Sequence, residues 1–396
     1  MKPQSLEKNK PSFLFISNWY PAALEHFKIS DKNYGEYETE LSSKLLDIAH
    51  LYSLNLNKLG YQSKAVISNH ENLQKRWAEE NGITFSNFSP PHLARHSYFL
   101  RSVVSKFPKI YYSFKNVTDK KTWNWQISMA QIKKFRPDVL LIFDLHYFTP
   151  PFLKEARKYV GKIVGEIASP IMMPEEHFRN YDLLLSSMPH YIRKFQKMGI
   201  SSAYLPYAFE STILEKIGEQ KRKYDCVFIG GLSRDLDKIP LLEELAKKIN
   251  IDFWGYSQLP LDKSSSILSR YHGSVWGIDM YRILAQSKIV VNCHTKRVGD
   301  YFDHEDYADN MRLYESTGMG AMLITDMKKN LGDLFEIDKE VIAYNEINEL
   351  VEKIKYYLKN EKEREKIARA GQARTLKAHS YKARAERLLE ITDSNI

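Results

Sequence analysis

Short apolar runs recur along the chain. Each is followed by a longer stretch whose apolar residues return every three or four positions. In the first half, residues 12–17, 64–68, 138–143, 162–167 and Leu183–Ser186 read as strands, and residues 41–59 and 126–135 read as helices. The pattern restarts at Tyr224–Ile229, a strand that ends in Gly230 and Gly231. Further strands are expected at Asp252–Trp254, 288–292 and 322–325, with helices at 241–249, 280–285, Arg312–Gly318 and 348–358 and a highly charged helical tail over 361–390. Strands alternating with helices predict an α/β fold with a parallel sheet covered on both faces. The restart follows Pro206 and a charge-rich run reaching Lys223, read as a linker between two Rossmann-like domains, residues 1–207 and 208–396. Two such domains facing across a cleft bring the carboxyl ends of both sheets to it, and ligands bind outside those ends.

The chain of 396 residues is 43% hydrophobic, 27% charged and 13% aromatic, which excludes disordered, collagenous and disulfide-scaffold classes. Cys226 and Cys293 both fall in apolar runs, as expected of a reducing compartment. The N-terminus lacks the apolar centre of a signal peptide, and no run approaches the roughly 18 apolar residues of a membrane span, so a cytoplasmic location is expected. The formal charge of +9 admits polyanionic partners as well as a solvated basic surface. Residues 95–136 hold ten Lys or Arg against one acid, Asp119, with Tyr98, Phe99, Tyr111, Tyr112, Phe114, Trp123 and Trp125 interleaved. That mixture suits a lipid-linked acceptor or peripheral contact with the inner face of a membrane, or packing on its own domain; nucleic acid is not expected.

The most informative stretch runs from Asn310 to Asp326, NMRLYESTGMGAMLITD. Asp309 or Asn310 is expected to cap a short helix carrying Arg312 and Glu315. A helix start suits a diphosphate, and a carboxylate one turn on suits the two hydroxyls of a ribose. An ordinary capped helix with an exposed glutamate is the plain alternative.

This stretch resembles the signature of group 1 glycosyltransferases of the GT-B fold, near the spore-maturation-type branch: N-x-R-x-x-E-x-x-x-x-G-A-x-x-x-T-D. The resemblance extends upstream over 277–294 and downstream over 361–387, where the ending HSYKAR starts at His379. It is clear over about 220–390, weaker over 136–210 and faint before that. It implies two Rossmann-like domains, a nucleotide-sugar donor on the C-terminal one, a final helix returning to the first domain, and transfer of a hexose-like sugar in surface-polysaccharide or glycoconjugate assembly.

By the same resemblance Glu315 holds the donor ribose, and Asn310 and Arg312 line the diphosphate. Gly230 and Gly231 let the backbone approach the phosphates. Arg234 and Lys238 match the family's phosphate-facing pair, one residue short of its usual spacing. Val275 and Trp276 lie near the base. His294 follows a strand and is a donor for a phosphate or sugar hydroxyl. Where retaining members carry a second glutamate, eight positions before the ribose carboxylate, this chain has Tyr307. Retaining or inverting chemistry is left open.

An acceptor hydroxyl needs a base, and Asp144, His146 and Glu166 stand at strand ends of the first domain. Asp235 and Asp237 form an Asp-x-Asp pair expected to open a helix rather than bind a metal. Neither zinc spacing, a phosphate loop nor a nucleophile elbow occurs, so no cofactor or metal is expected. The rival readings are a nucleotide-sugar epimerase of the same fold and a degenerate transferase that only binds glycan.

Overall fold

The computed structural model describes residues 10–26, 32–44, 47–88, 107–169, 171, 173–257, 259–294, 306–308 and 310–393. Two compact units emerge. One comprises Met1–Ser43, Asp47–Ser186 and Tyr191–Ala203; the other comprises Lys44–Leu46, Ser187–His190 and Tyr204–Ile396. The terminal helix Tyr381–Asp393 falls in the second.

The first unit is built on a sheet in the order β2-β1-β3-β4-β5-β6, from β1 (Phe13–Ser17), β2 (Ser63–Ile67), β3 (Val139–Phe143), β4 (Lys162–Glu166), β5 (Leu183–Ser186) and β6 (Ser202–Tyr204). The second carries a parallel sheet in the order β11-β10-β9-β7-β8, from β7 (Tyr224–Ile229), β8 (Asp252–Trp254), β9 (Ser287–Asn292), β10 (Met322–Asp326) and β11 (Ile342–Tyr344). β1 and β3 are buried along their whole length. Strands covered on both faces read as unbroken apolar runs, which is why the sequence pattern located them. The second unit's core joins Phe228, Val291 and Ile324 of the sheet to Leu242, Ile354 and Ile367 of flanking helices.

Each sheet has one place where the chain reverses its direction of travel. It moves outward from β1 to β2 and then returns past β1 to β3; in the second sheet it does the same at β7 and β9. Such a switch point opens a crevice at the carboxyl ends of the two flanking strands.

The helix expected over 41–59 is instead two, Tyr34–Ser43 and Ile48–Lys58. Asp47 ends the continuity. Its carboxylate caps the second helix through the His50 backbone N–H at 3.0 Å and also accepts from Ser17 Oγ at 2.7 Å and Trp19 Nε1 at 3.1 Å. The charged tail likewise splits into Glu361–Ala378 and Tyr381–Asp393. Between them Ser380 bridges to Phe209, with Phe209 N donating to His379 O at 2.8 Å and Tyr381 N donating to Phe209 O at 3.0 Å.

The expected linker is in fact packed chain of the second unit. Ala208, Phe209, Glu210 and Ile213 are buried, and Thr212–Ile217 is helical. Its charged surface residues gave the sequence a linker's appearance.

Candidate functional site

The carboxyl ends of β7, β9 and β10 gather most of the residues singled out in the second unit. β7 runs directly into Gly230 and Gly231. A Cβ on Gly230 would stand 3.0 Å from Phe228 Cζ and 3.7 Å from Lys238 Nζ, so glycine keeps this turn open. One on Gly255, after β8, would lie 1.7 Å from Gly230 O. The two turns are therefore packed backbone to backbone.

Lys238 precedes the helix Ile239–Lys248 and is only 8% exposed. Its ammonium lies 5.0 Å from the centroid of the Phe228 ring and has no ion-pair partner among the described residues. Burial pushes it below its ordinary range, and Arg312 adds to the effect while Asp237 and Asp326 oppose it. Arg234 has an exposed side chain, its backbone N–H held by Leu259 O at 3.1 Å. Asp235 and Asp237 lie in the turn between these two cations, not in a helix, and Asp235 accepts from Ser233 Oγ. Among the described residues no group of three or more His, Cys, Asp or Glu is arranged to hold a metal ion.

The helix Arg312–Gly318 differs from expectation at its start. Asn310 does not cap it; its amide donates to Asn292 Oδ1 at 2.9 Å, and no side chain caps the helix. Asp309 lies outside the described residues. Arg312 Nε donates to Ile229 O at 3.1 Å, and Nη1 pairs with Glu315 at 2.8 Å. The other Glu315 oxygen accepts from Tyr281 at 3.3 Å. Glu315 is thus 5% exposed and engaged, not a surface glutamate. Burial, then the Glu315 charge, hold the Tyr281 hydroxyl well above its ordinary value, so it remains a donor. A carboxylate offers about four acceptor positions, and these two partners leave two.

His294 follows β9 and is tied to Asp326 at the end of β10, through Nδ1 at 2.8 Å and its backbone N–H at 3.1 Å. Burial alone would raise Asp326; the His294 hydrogen bond and the Lys328 charge outweigh it and hold the carboxyl low. Lys328 bridges Asp326 and Asp306 at 2.9 and 2.7 Å. Tyr307, at the register of the missing glutamate, lies 5.8 Å from Lys329 Nζ. Val275 and Trp276 lie in the loop before the helix Gly277–Ala285; that loop reaches the turn after β8, where Gly255 N donates to Gly273 O at 2.9 Å. The Trp276 ring stacks on Tyr256 at 5.4 Å, and half-buried Val275 precedes it.

In the first unit, Asp144 and His146 follow β3 at its switch point. Asp144 adopts φ 70°, a left-handed conformation that Asp tolerates, and this turns its carboxylate back onto His146. Oδ1 lies 3.0 Å from His146 Nδ1 and 3.2 Å from its backbone N. In the tautomer in which Nδ1 donates to this carboxylate, Nε2 is the ring nitrogen that can act as an acceptor. Glu166 is paired in register with Phe143 and is buried.

Sequence reasoning missed a second cluster at the same end of the sheet. His50 Nδ1 lies 2.8 Å from Asp47, and Nε2 lies 3.8 Å from Glu38. Burial alone would lower the imidazole, yet the two carboxylates raise it to about 9. The helix boundary at Asp47 was the signal that could have exposed it.

The comparisons agree with this architecture. Residues 235–390 match the family described as "Glycosyl transferase-like". A glycosyltransferase from Rickettsia africae ESF-5 is similar at 12% identity, over 98% of this chain and 99% of that one, with a TM-score of 0.56. HepE of Anabaena, solved in complex with UDP-glucose, is similar at 12% identity over 97% and 100%, with a TM-score of 0.55. Sucrose-phosphate synthase from Thermosynechococcus elongatus follows at 9% identity over 97% and 99%, with a TM-score of 0.52. The search of curated proteins returned no match. Two parallel-sheet units and these shared folds give this chain the two-domain Rossmann-like GT-B fold, and its C-terminal part, residues 235–390, is similar to the glycosyl transferase-like family.

Proposed function

We propose that this protein transfers a sugar from a nucleotide-sugar donor to an acceptor hydroxyl on a glycan or lipid-linked glycan, in surface-polysaccharide or glycoconjugate assembly at the cytoplasmic face of a membrane. The observation that carries the reading is Lys238. A buried ammonium without an anionic partner is unfavourable unless a ligand supplies the anion. It stands beside a glycine turn at the switch point, as a diphosphate requires. Arg234, exposed in the same turn, adds a second cation. Charge developing on the departing diphosphate is met by these fixed groups, and no metal or other cofactor is required by the scheme.

In this reading Glu315, paired with Arg312, accepts the ribose hydroxyls through its remaining acceptor positions. Asn310 and Arg312 border the diphosphate, His294 meets a phosphate or sugar hydroxyl through Nε2, and the Val275–Trp276 turn borders the base. His146, oriented by Asp144, takes the acceptor proton through Nε2. His50 is the weaker candidate for that step, because two carboxylates keep it protonated at neutral pH. Glu166 is the remaining candidate, adjacent to Asp144 across the strand pair.

The test is a thermal-shift panel of UDP-, GDP-, CMP- and dTDP-sugars, beginning with UDP-glucose because HepE binds it. It is followed by nucleotide-release assays with and without acceptor, in EDTA and in Mg²⁺. At least one nucleotide sugar should raise the melting temperature, Glu315→Ala should abolish that rise, and release should need acceptor. Release without acceptor would instead indicate an epimerase. A panel in which no nucleotide stabilises the protein would overturn the proposal.

A further inference from the structure

The helix Pro108–Thr118 carries a row of large apolar side chains directed to solvent. Phe107, at its cap, is 56% exposed, Ile110 71%, Phe114 67% and Val117 70%, all at helical spacing along one stripe. The opposite face already has its partners. Tyr112 is buried, and Lys115 donates to Tyr147 O at 2.9 Å and pairs with Asp119. The exposed stripe is therefore not the side that anchors the helix to its own unit. Contiguous apolar surface of this kind marks an interaction face.

The surrounding charge selects among occupants. Between Phe107 and Trp125 stand Lys109, Lys115, Lys120 and Lys121, and the only acid, Asp119, is turned inward. Lys109, Lys120 and Lys121 are exposed. The nearby acids are Glu175 and Glu176; Glu176 approaches Lys109 at 3.6 Å with both side chains more than two-thirds exposed, a pair that holds little. An apolar stripe bordered by lysines complements a surface that is apolar within and anionic at its boundary.

We propose that this face docks on an anionic lipid bilayer, with Phe107, Ile110, Phe114 and Val117 sunk into the headgroup boundary and the lysines set against lipid phosphates. The inference does not depend on the transfer reaction, since it concerns adhesion and not the donor site.

Flotation of the full chain with phosphatidylcholine vesicles, with and without phosphatidylglycerol, tests it. The wild type should float with the anionic vesicles, less with the zwitterionic ones, and less as salt is added. The double variant Ile110→Glu/Phe114→Glu should bind at least about tenfold more weakly. Its melting temperature should be unchanged, because both side chains are exposed. Lys120→Glu/Lys121→Glu should reduce the preference for anionic lipid while keeping residual binding. A wild type that stays soluble with both vesicles overturns the proposal, as does a double variant that floats as well as wild type. A third overturning result is a concentration-dependent dimer that the double variant abolishes without altering flotation. The thermal-shift response to nucleotide sugars, measured on the same variants, separates failure here from failure of the transferase reading.

Discussion

Lys238 is a buried cation and His50 a half-buried one, and their surroundings give them opposite behaviour. Lys238 has no ion-pair partner among the described residues, so replacing it with an apolar side chain of similar length removes a desolvation penalty. Lys238→Met is expected to match or exceed the wild-type melting temperature without ligand, yet lose the shift produced by nucleotide sugar. A purely structural lysine would show no such opposition. His50 has Asp47 and Glu38. Its folded-state value near 9 lies above the ordinary 6.5, so its contribution to stability is complete below about 6.5 and is lost as pH rises through 9. Chemical denaturation at pH 6.5 and 9.5 should show this loss, and His50→Gln should flatten it. At His146 the expectation is kinetic: His146→Ala should lower kcat by about 10²- to 10⁴-fold with little change in donor binding, and Asp144→Asn should fall in between.

At the level of elements, the helix Arg312–Gly318 depends on a glycine at its end. A Cβ on Gly318 would come within 2.4 Å of the Phe209 ring. Gly318→Ala is therefore expected to destabilise by about 1–3 kcal/mol, because the strap carrying Phe209 must move. Since Glu315 lies on the same helix, donor affinity should fall with it; thermal melts with and without nucleotide sugar read both effects. Elements also show what a sequence makes legible. Fully buried strands announce themselves as apolar runs, and so the sheets were read closely. The short edge strands β6 and β11 were not read, although the equally short β8 was. Helix ends were misread wherever a polar residue turned inward: Asp47 broke an apparently continuous helix, and Asn310 bonded to Asn292 instead of capping. The signature residues were legible through their spacing, whereas the Lys328–Asp326–His294 chain arises only where β9 and β10 lie side by side, and the Tyr281–Glu315 contact only where two helices pack together.

Considered whole, the molecule has two cores, and each contains a histidine held neutral. Burial drives His177 down to about 3, aided by the charge of His146, in a site beside Tyr112 and Tyr181. In the second unit, burial lowers His379 to about 4; it packs against Tyr314 and Phe335 and contacts Leu334 O and Arg384. Both folded values lie below the ordinary 6.5, so the unfolded chain binds more protons and stability falls as pH drops below 6.5. Calorimetry from pH 7 to pH 4 should show a falling melting temperature in each unit, and His177→Phe should relieve it in the first unit alone. No helix among the described residues is long and apolar enough to cross a membrane.

The Phe209–Ser380 bridge is joined by Arg384, whose Nε donates to Pro206 O at 2.8 Å. Chain entering the second unit and chain leaving it are thus fastened at one spot. A unit whose first and last segments are held together tolerates reconnection there and a break at an exposed turn elsewhere. Joining residues 204 and 393 by a tether long enough to span the last helix, and opening the exposed turn after Lys339, should give a permuted unit that folds, whereas trimming the chain before His379 would remove this clasp.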